Sequence, residues 1–242
     1  PSYGQQFAAE TVERLMPETE EEPISYLSSG IIKGVGPATA RRIVDRFGPA
    51  TLDILETEPR RLSLIKGVTE KKAQEMGESF RRHMGLRRLM EFLARHQLPP
   101  VLAMELRERY GDAALEMIRA NPYLLSADGC GVEFSLADEM ALGMGLAPDS
   151  SQRLQAAVLF ELSHNENNGH VFLPRDKLVA ATSQLLDCES ELAERALEEL
   201  TERREVICQR IANVEACYLR RLWEAESSAC VRFCALLSAD AD

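Results

Sequence analysis

Apolar residues recur at helical spacing along most of this chain, and short glycine- or proline-bearing corners interrupt them. Ala40, Ile43, Val44 and Phe47 form one such face, closed by Gly48-Pro49, and Ile24 to Phe47 reads as a first hairpin unit. A short helix is expected from Ala50 to Glu56, ended by Glu58-Pro59. Lys71 to His96 then predicts a long helix, with Met76, Phe80, Met84, Leu86, Leu89, Phe92 and Leu93 on its apolar side. Pro99-Pro100 opens a helix from Val101 to Tyr110, and Asp112 caps another that Asn121-Pro122 stops. Further helices are expected over Ser135–Leu142, from Ser151 to Ser163, from Pro174 to Leu186 and from Glu189 to Arg203. Val206-Ile207-Cys208 and Ala216-Cys217-Tyr218-Leu219 have strand character around a turn at Asn213, so three helices and a hairpin suggest a winged-helix-like module. Ahead of all this, Phe7 to Leu15 is read as one strand or a short helix, followed by an acidic linker from Pro17 to Pro23.

The corner that says most is Ile31-Ile32-Lys33-Gly34-Val35-Gly36-Pro37. Gly34 and Gly36 permit φ > 0 and close approach of a ligand, and Pro37 suits a first helical position. Amides at such a helix start lack partners in the helix and face outward, which seats one phosphate. The pattern resembles the helix-hairpin-helix motif, which grips nucleic-acid backbone without reading sequence. The plainer alternative is an αα-turn that only packs two helices. Lys66-Gly67-Val68 repeats Lys33-Gly34-Val35 after 33 residues, with Thr69 in place of the second glycine, so closer approach is expected at the first copy. A third, degraded copy is read at Gly129-Cys130-Gly131-Val132-Glu133, where a carboxylate replaces the glycine and argues for a structural role.

Charge sharpens this reading. The chain of 242 residues has a net charge of −11, which alone argues against a nucleic-acid binder. Yet residues 30–96 hold 14 basic and 8 acidic side chains, leaving 14 and 31 elsewhere, so the basic part coincides with the two hairpins. Arg81, Arg82, Arg87, Arg88 and Arg95 along the long helix fit either a solvated face or a DNA contact. The helix Glu189–Arg203 is too acidic to enter a DNA groove, and docking on a neighbour is the expected role of that module.

Other chemistry finds little support. Six scattered cysteines contain no Cys-x-x-Cys pair and four histidines lie apart, so neither a metal site nor a disulfide framework is expected. No apolar run reaches the ~20 residues of a membrane span, and no signal pattern opens the sequence, so a cytoplasmic location without membrane contact is expected. No Gly-Lys-Ser or Gly-Lys-Thr occurs, which leaves no phosphate-binding loop, and no acyl-transfer elbow or catalytic triad can be assembled.

The order of segments is similar to the amino-terminal region of RecD-like ATP-dependent DNA helicases. The resemblance rests on Tyr3-Gly4-Gln5-Gln6-Phe7, Tyr26 to Gly36, Asn121-Pro122-Tyr123, Phe134 with Ala137-Asp138, and Gly169 to Pro174. It implies an accessory region that precedes a superfamily-1 motor moving 5′ to 3′ on single strands, in a protein of DNA repair and recombination. ATP and magnesium would belong to that missing core, so no cofactor and no metal are expected in this chain, and the chain reads as an excised fragment.

The expected fold is therefore mostly α: a tandem helix-hairpin-helix domain followed by further helices and a small winged-helix-like module. Its parts are a remnant strand and linker (1–23), the tandem domain (24–97), a helical domain with the degenerate third hairpin (98–147), the winged-helix-like module (148–222) and a C-terminal helix and tail (223–242). The expected function is non-catalytic, sequence-independent binding of single-stranded or forked DNA. The main seat is the amides of Gly34, Val35 and Gly36 with Lys33, Thr39, Arg41 and Arg42. The weaker seat is Gly67, Val68 and Thr69 with Lys66, Lys71 and Lys72. The alternative is an interaction scaffold that docks the helicase core or another protein and touches no DNA.

Overall fold

The computed structural model describes residues 22–126 and 130–239; Phe7–Leu15 and most of the Pro17–Pro23 linker lie outside them. The chain divides between Met117 and Ile118 into two compact units. Both are chiefly helical, as the hydrophobic spacing predicts.

In the first unit, α1 (Glu22–Tyr26) runs into a wide turn over Leu27–Ile31, broken where Gly30 takes φ 89°. α2 (Pro37–Phe47) begins with proline at its first position and ends at Gly48, whose N–H bonds the Val44 carbonyl. α3 (Thr51–Thr57) and a 3-10 turn from Pro59 to Leu64 lead to α4 (Glu70–Arg95), the 26-residue helix. Thr69 caps α4 by accepting a 3.3 Å bond from the Lys72 amide. α4 ends in a Schellman arrangement: the Leu98 amide reaches the Leu93 carbonyl and the Gln97 amide that of Ala94. α5 (Leu102–Tyr110) follows, and α6 (Ala114–Ala120) leads from one unit to the other.

The core of the hairpin part gathers Leu27, Ile32, Val35, Ile43, Leu55, Leu62, Val68, Met76 and Phe80. Neither hairpin could hide its apolar side alone, and burial of these side chains provides the drive to pack them together. Gly77 makes the packing of α4 possible at one place. A Cβ there would fall 2.4 Å from the Pro59 Cβ, so only glycine lets the helix pass the start of the 3-10 turn.

In the second unit, α7 (Phe134–Gly143) and α8 (Ser151–Asn167) are joined by a partly buried polar knot. Asp138 accepts 2.7 Å from the Tyr123 hydroxyl, 2.8 Å from Arg153 Nε and 2.9 Å from the second Arg153 terminal nitrogen. Burial alone would raise the Asp138 pKa, but the bonds from Arg153 and Tyr123 outweigh it and hold the carboxyl below its ordinary 3.8. The same burial, with the bond to Asp138, pushes the Tyr123 hydroxyl far up. Two of the sequence segments that carry the helicase resemblance thus meet here, in a structural role.

The winged-helix-like arrangement is present. It comprises α8, α9 (Arg175–Leu186), α10 (Ser190–Glu202) and a sheet in the order β1-β3-β2. The hairpin of β2 (Val206–Ile211) and β3 (Val214–Leu219) sits where alternation predicts it, while β1 (Leu173–Pro174) is an addition that two residues cannot signal by periodicity. Leu173 pairs with Cys217, and Phe172 lies against Tyr218 with ring centroids 5.2 Å apart. The acids of α10 serve the module itself in part: Arg175 meets Glu194 at 2.6 Å, Glu215 at 3.2 Å and Glu198 at 3.5 Å. α11 (Arg220–Ala239) follows β3 and leaves Val231, Phe233, Leu236 and Leu237 about two-thirds exposed, at 69%, 69%, 66% and 72%.

Candidate nucleic-acid interface

The two glycine corners of the first unit share one backbone solution. In Ile32-Lys33-Gly34-Val35 the Val35 amide donates 3.2 Å to the Ile32 carbonyl, with Gly34 at φ 84°. In Ile65-Lys66-Gly67-Val68 the Val68 amide donates 3.0 Å to the Ile65 carbonyl, with Gly67 at φ 92°. A turn with φ > 0 at its third residue is where glycine is required. The buried isoleucine and valine anchor each turn from below, so the lysine and glycine between them stay exposed.

This geometry corrects the expected seat. The amides of Val35 and Val68 close their own turns and are not offered outward. The Thr39 amide is spent on the Gly36 carbonyl at 3.0 Å, and the Lys33 amide bonds Ser79 Oγ at 3.3 Å. Ser79 Oγ also donates 3.2 Å to the Ile31 carbonyl, so α4 clamps the first corner on both sides. Among the described residues, the amides without a partner at the first corner are those of Gly34, Gly36 and Ala38. At the second corner they are those of Lys66, Gly67, Thr69, Glu70 and Lys71. Unpaired amides at the starts of α2 and α4 carry the positive end of each helix dipole, which favours an anion.

Arg42 also has a different place from the expected one. Its guanidinium donates 2.6 Å to the Lys66 carbonyl, 3.1 Å to the Ala38 carbonyl and 3.4 Å to Thr39 Oγ1. It bridges the start of α2 to the second turn, and it occupies the Thr39 hydroxyl as an acceptor. Lys33, Arg41, Lys66, Lys71 and Lys72 remain exposed, and none meets a carboxylate within ion-pair distance among the described residues. Five exposed cations without an ion pair thus lie in or just after the two corners that carry open amides, an arrangement that favours an anion.

The arginines further along α4 do not extend that face evenly. Arg81 bonds the Glu56 carbonyl at 3.0 Å, Arg88 pairs with the Glu56 carboxylate at 2.7 Å and Arg87 with Glu91 at 2.8 Å. These side chains tie α4 to α3 or to its own next turn. The run noted in the sequence is therefore largely a structural stitch.

The third corner lies in the second unit. Gly131 takes φ 70°, Val132 is buried and Glu133 precedes α7. The exposed Glu133 puts a carboxylate where an anion would sit. Among the described residues, no group of three or more histidines, cysteines or acids could hold a metal ion, and no helix is long and apolar enough to cross a membrane.

Comparison with known proteins bears on both units. Residues 25–82 match the family described as a SAM-like helix-hairpin-helix tandem. Residues 82–172 match the family described as the helix-hairpin-helix domain of ATP-dependent RecD2 DNA helicases. A relative, the ATP-dependent RecD2 DNA helicase of Deinococcus radiodurans, is 29% identical over 178 residues. That stretch covers 72% of this chain and 25% of the relative, so this chain corresponds to about a quarter of it. Two adjoining helix-hairpin-helix matches thus cover residues 25–172, and with this relative they make the chain similar to the amino-terminal helix-hairpin-helix region of RecD-like helicases.

Proposed function

We propose that this chain is a non-catalytic accessory region that holds DNA by its backbone, without sequence preference. It would serve a RecD-like motor that moves 5′ to 3′. The observation that carries the reading is the pairing of open amides with five uncompensated cations at the two glycine corners. Amides and lysines meet phosphate equally well beside any base, so such a seat confers affinity and not sequence readout. Single-stranded or forked DNA is the substrate class, and the rest of the helicase is the intramolecular partner. ATP and magnesium act in that motor; the absence of a phosphate-binding loop in this sequence supports a non-enzymatic role here.

The test is anisotropy of labelled single-stranded and duplex oligonucleotides at ~50 and ~200 mM salt, where the slope of log K against log salt should be about −0.9 per neutralised phosphate. Weak, salt-sensitive binding is expected, with loss in the Lys33→Glu, Gly34→Glu double variant. Equal signal for that variant and the parent chain at low salt would overturn the reading.

A second reading has its own observation. The row of exposed apolar side chains on α11 supports a docking role for the second unit toward the helicase core. It predicts a complex with the separately expressed motor portion, lost on Phe233→Glu with Leu237→Glu.

A further inference from the structure

Four corners in this chain obey one local rule, and one of them contains no glycine. They are Gly34-Val35-Gly36, Gly67-Val68-Thr69, Gln97-Leu98-Pro99 and Gly131-Val132-Glu133. The leading residue is left-handed in each, with φ of 84°, 92°, 60° and 70°. The central aliphatic is buried in each, at 5%, 7%, 3% and 9% exposure. The third residue offers its carbonyl to the first bond of the next helical stretch, from Thr39 and Ala40, Ala73, Leu102, or Leu136 and Ala137. Four positions on stands a fully buried alanine (Ala40, Ala73, Ala103, Ala137). Three further on stands Ile43, Met76, Leu106 or Met140, all buried.

The corners also come in two pairs. Gln97 follows Gly34 by 63 residues, and Gly131 follows Gly67 by 64. The 63-residue shift also relates Gly48 to Gly111, both left-handed, and Pro59 to Pro122, each of which opens a 3-10 turn. Agreement in φ, burial and turn starts at matched positions is not expected of unrelated helical segments.

We propose that residues 34–76 and 97–140 are two copies of one two-corner pattern along the chain, and that the first copy alone holds DNA backbone. This rests on the DNA-binding reading above and assigns that function to one copy. At matched positions the later copy keeps a glycine at Gly131 but has lost the seat's cations, and one of its amides. The Gly36 amide becomes Pro99, which has no N–H, and Thr69 becomes Glu133. Lys33 and Lys66 become His96, whose ring lies 4.7 Å from that of Phe92, and Cys130, which is buried. Arg41 and Arg42 become Met104 and Glu105; Lys71 and Lys72 become Ser135 and Leu136. Met104 and Leu136 remain 60% and 37% exposed, so the cations were not lost to burial. The later copy keeps the packing residues of the hairpin and none of the cations of the seat, and it sets Glu133 beside the amides that remain.

The experiment compares two charge-insertion variants of this chain on labelled single-stranded and duplex DNA at ~50 mM salt. Lys33→Glu with Lys66→Glu should weaken binding about tenfold or more, in line with the steep electrostatic share of backbone binding. Gln97→Glu with Ser135→Glu, at exposed positions of the later copy, should leave affinity within about twofold. Comparable weakening by both variants overturns the one-copy assignment. If neither variant changes binding, the DNA-binding reading itself fails. Circular dichroism and thermal melting check the fold, and Lys33→Gln with Lys66→Gln replaces the first variant if the glutamates unfold it.

Discussion

The guanidinium of Arg42 donates a 2.6 Å hydrogen bond to the backbone carbonyl of Lys66. One glycine turn is thereby tied to the helix that starts at the other, across 24 positions of sequence. The bond is charge-assisted, and it uses the cation that sequence alone would assign to a phosphate.

Arg42→Ala is therefore expected to weaken DNA binding by loosening the second turn and not by removing a phosphate contact. The slope of log K against log salt should stay unchanged, whereas loss of a direct contact would reduce it by about 0.9. Lys33→Ala, at a cation with no such carbonyl, should lower the slope. A reduced slope for Arg42→Ala would place its guanidinium on DNA.

Two glycines within α4 should respond in opposite directions to alanine. At Gly77 a Cβ would collide with Pro59, and with the Leu55 carbonyl at 3.1 Å. Gly77→Ala should thus destabilise by about 1–3 kcal/mol despite the better helix propensity of alanine. At Gly85 no atom lies within 4 Å of the added methyl, so Gly85→Ala should stabilise by about 0.5–1 kcal/mol. Urea denaturation of both variants checks the pair.

Acid should undo the Asp138 knot in a defined direction. The folded pKa is depressed, so its contribution is complete above the ordinary 3.8 and is lost as pH falls through the folded value. Asp138→Asn leaves the partly buried Arg153 beside a neutral amide, which should cost about 1.5–3 kcal/mol near neutrality. The Tm difference between parent and variant should be full at about pH 6 and close as pH drops below the unfolded carboxyl range. A difference that stays constant into acid would show that Asp138 is not charged in the native fold.

The sheet holds two cysteines in direct register. Cys208 pairs with Cys217 across β2 and β3, with sulfurs 3.1 Å apart. The bond from Cys217 pulls the Cys208 thiol down to about 7, against burial, with a smaller contribution from Thr201. Iodoacetamide should therefore modify Cys208 with a rate that rises through about pH 7. Cys217→Ala should move that midpoint up toward the ordinary 9.0. An unchanged midpoint would rule out the cross-strand bond.

Much of this fold is legible in the sequence because glycine, proline and helical periodicity report local constraints. The Gly34 and Gly67 turns, the long α4, the stop at Asn121-Pro122 and the β2–β3 hairpin all announce themselves in this way. The corner at Gln97 does not, since glutamine carries no mark of a left-handed backbone; only the Schellman bonds of α4 impose it. Strand β1 is invisible because two residues have no period. The two corners were legible as turns but not as a set of donors. Nothing in the residue letters distinguishes the Val35 amide, closed within its turn, from the Gly36 amide beside it. Nor does a run of arginines on α4 reveal that Glu56 engages two of them.

The length of α4 has a consequence of its own. It starts after the capping Thr69 and ends against Gln97, so one unbroken rod joins a lysine-flanked corner to one that has no lysine. At about 1.5 Å per residue the rod spans roughly 39 Å, the rise of about eleven stacked base pairs. Any strand that the lysine corner grips must run a full duplex turn before it could draw level with the far end. On the proposed reading the helix is a ruler, which sets how far a strand held at its lysine end lies from the corner at Gln97.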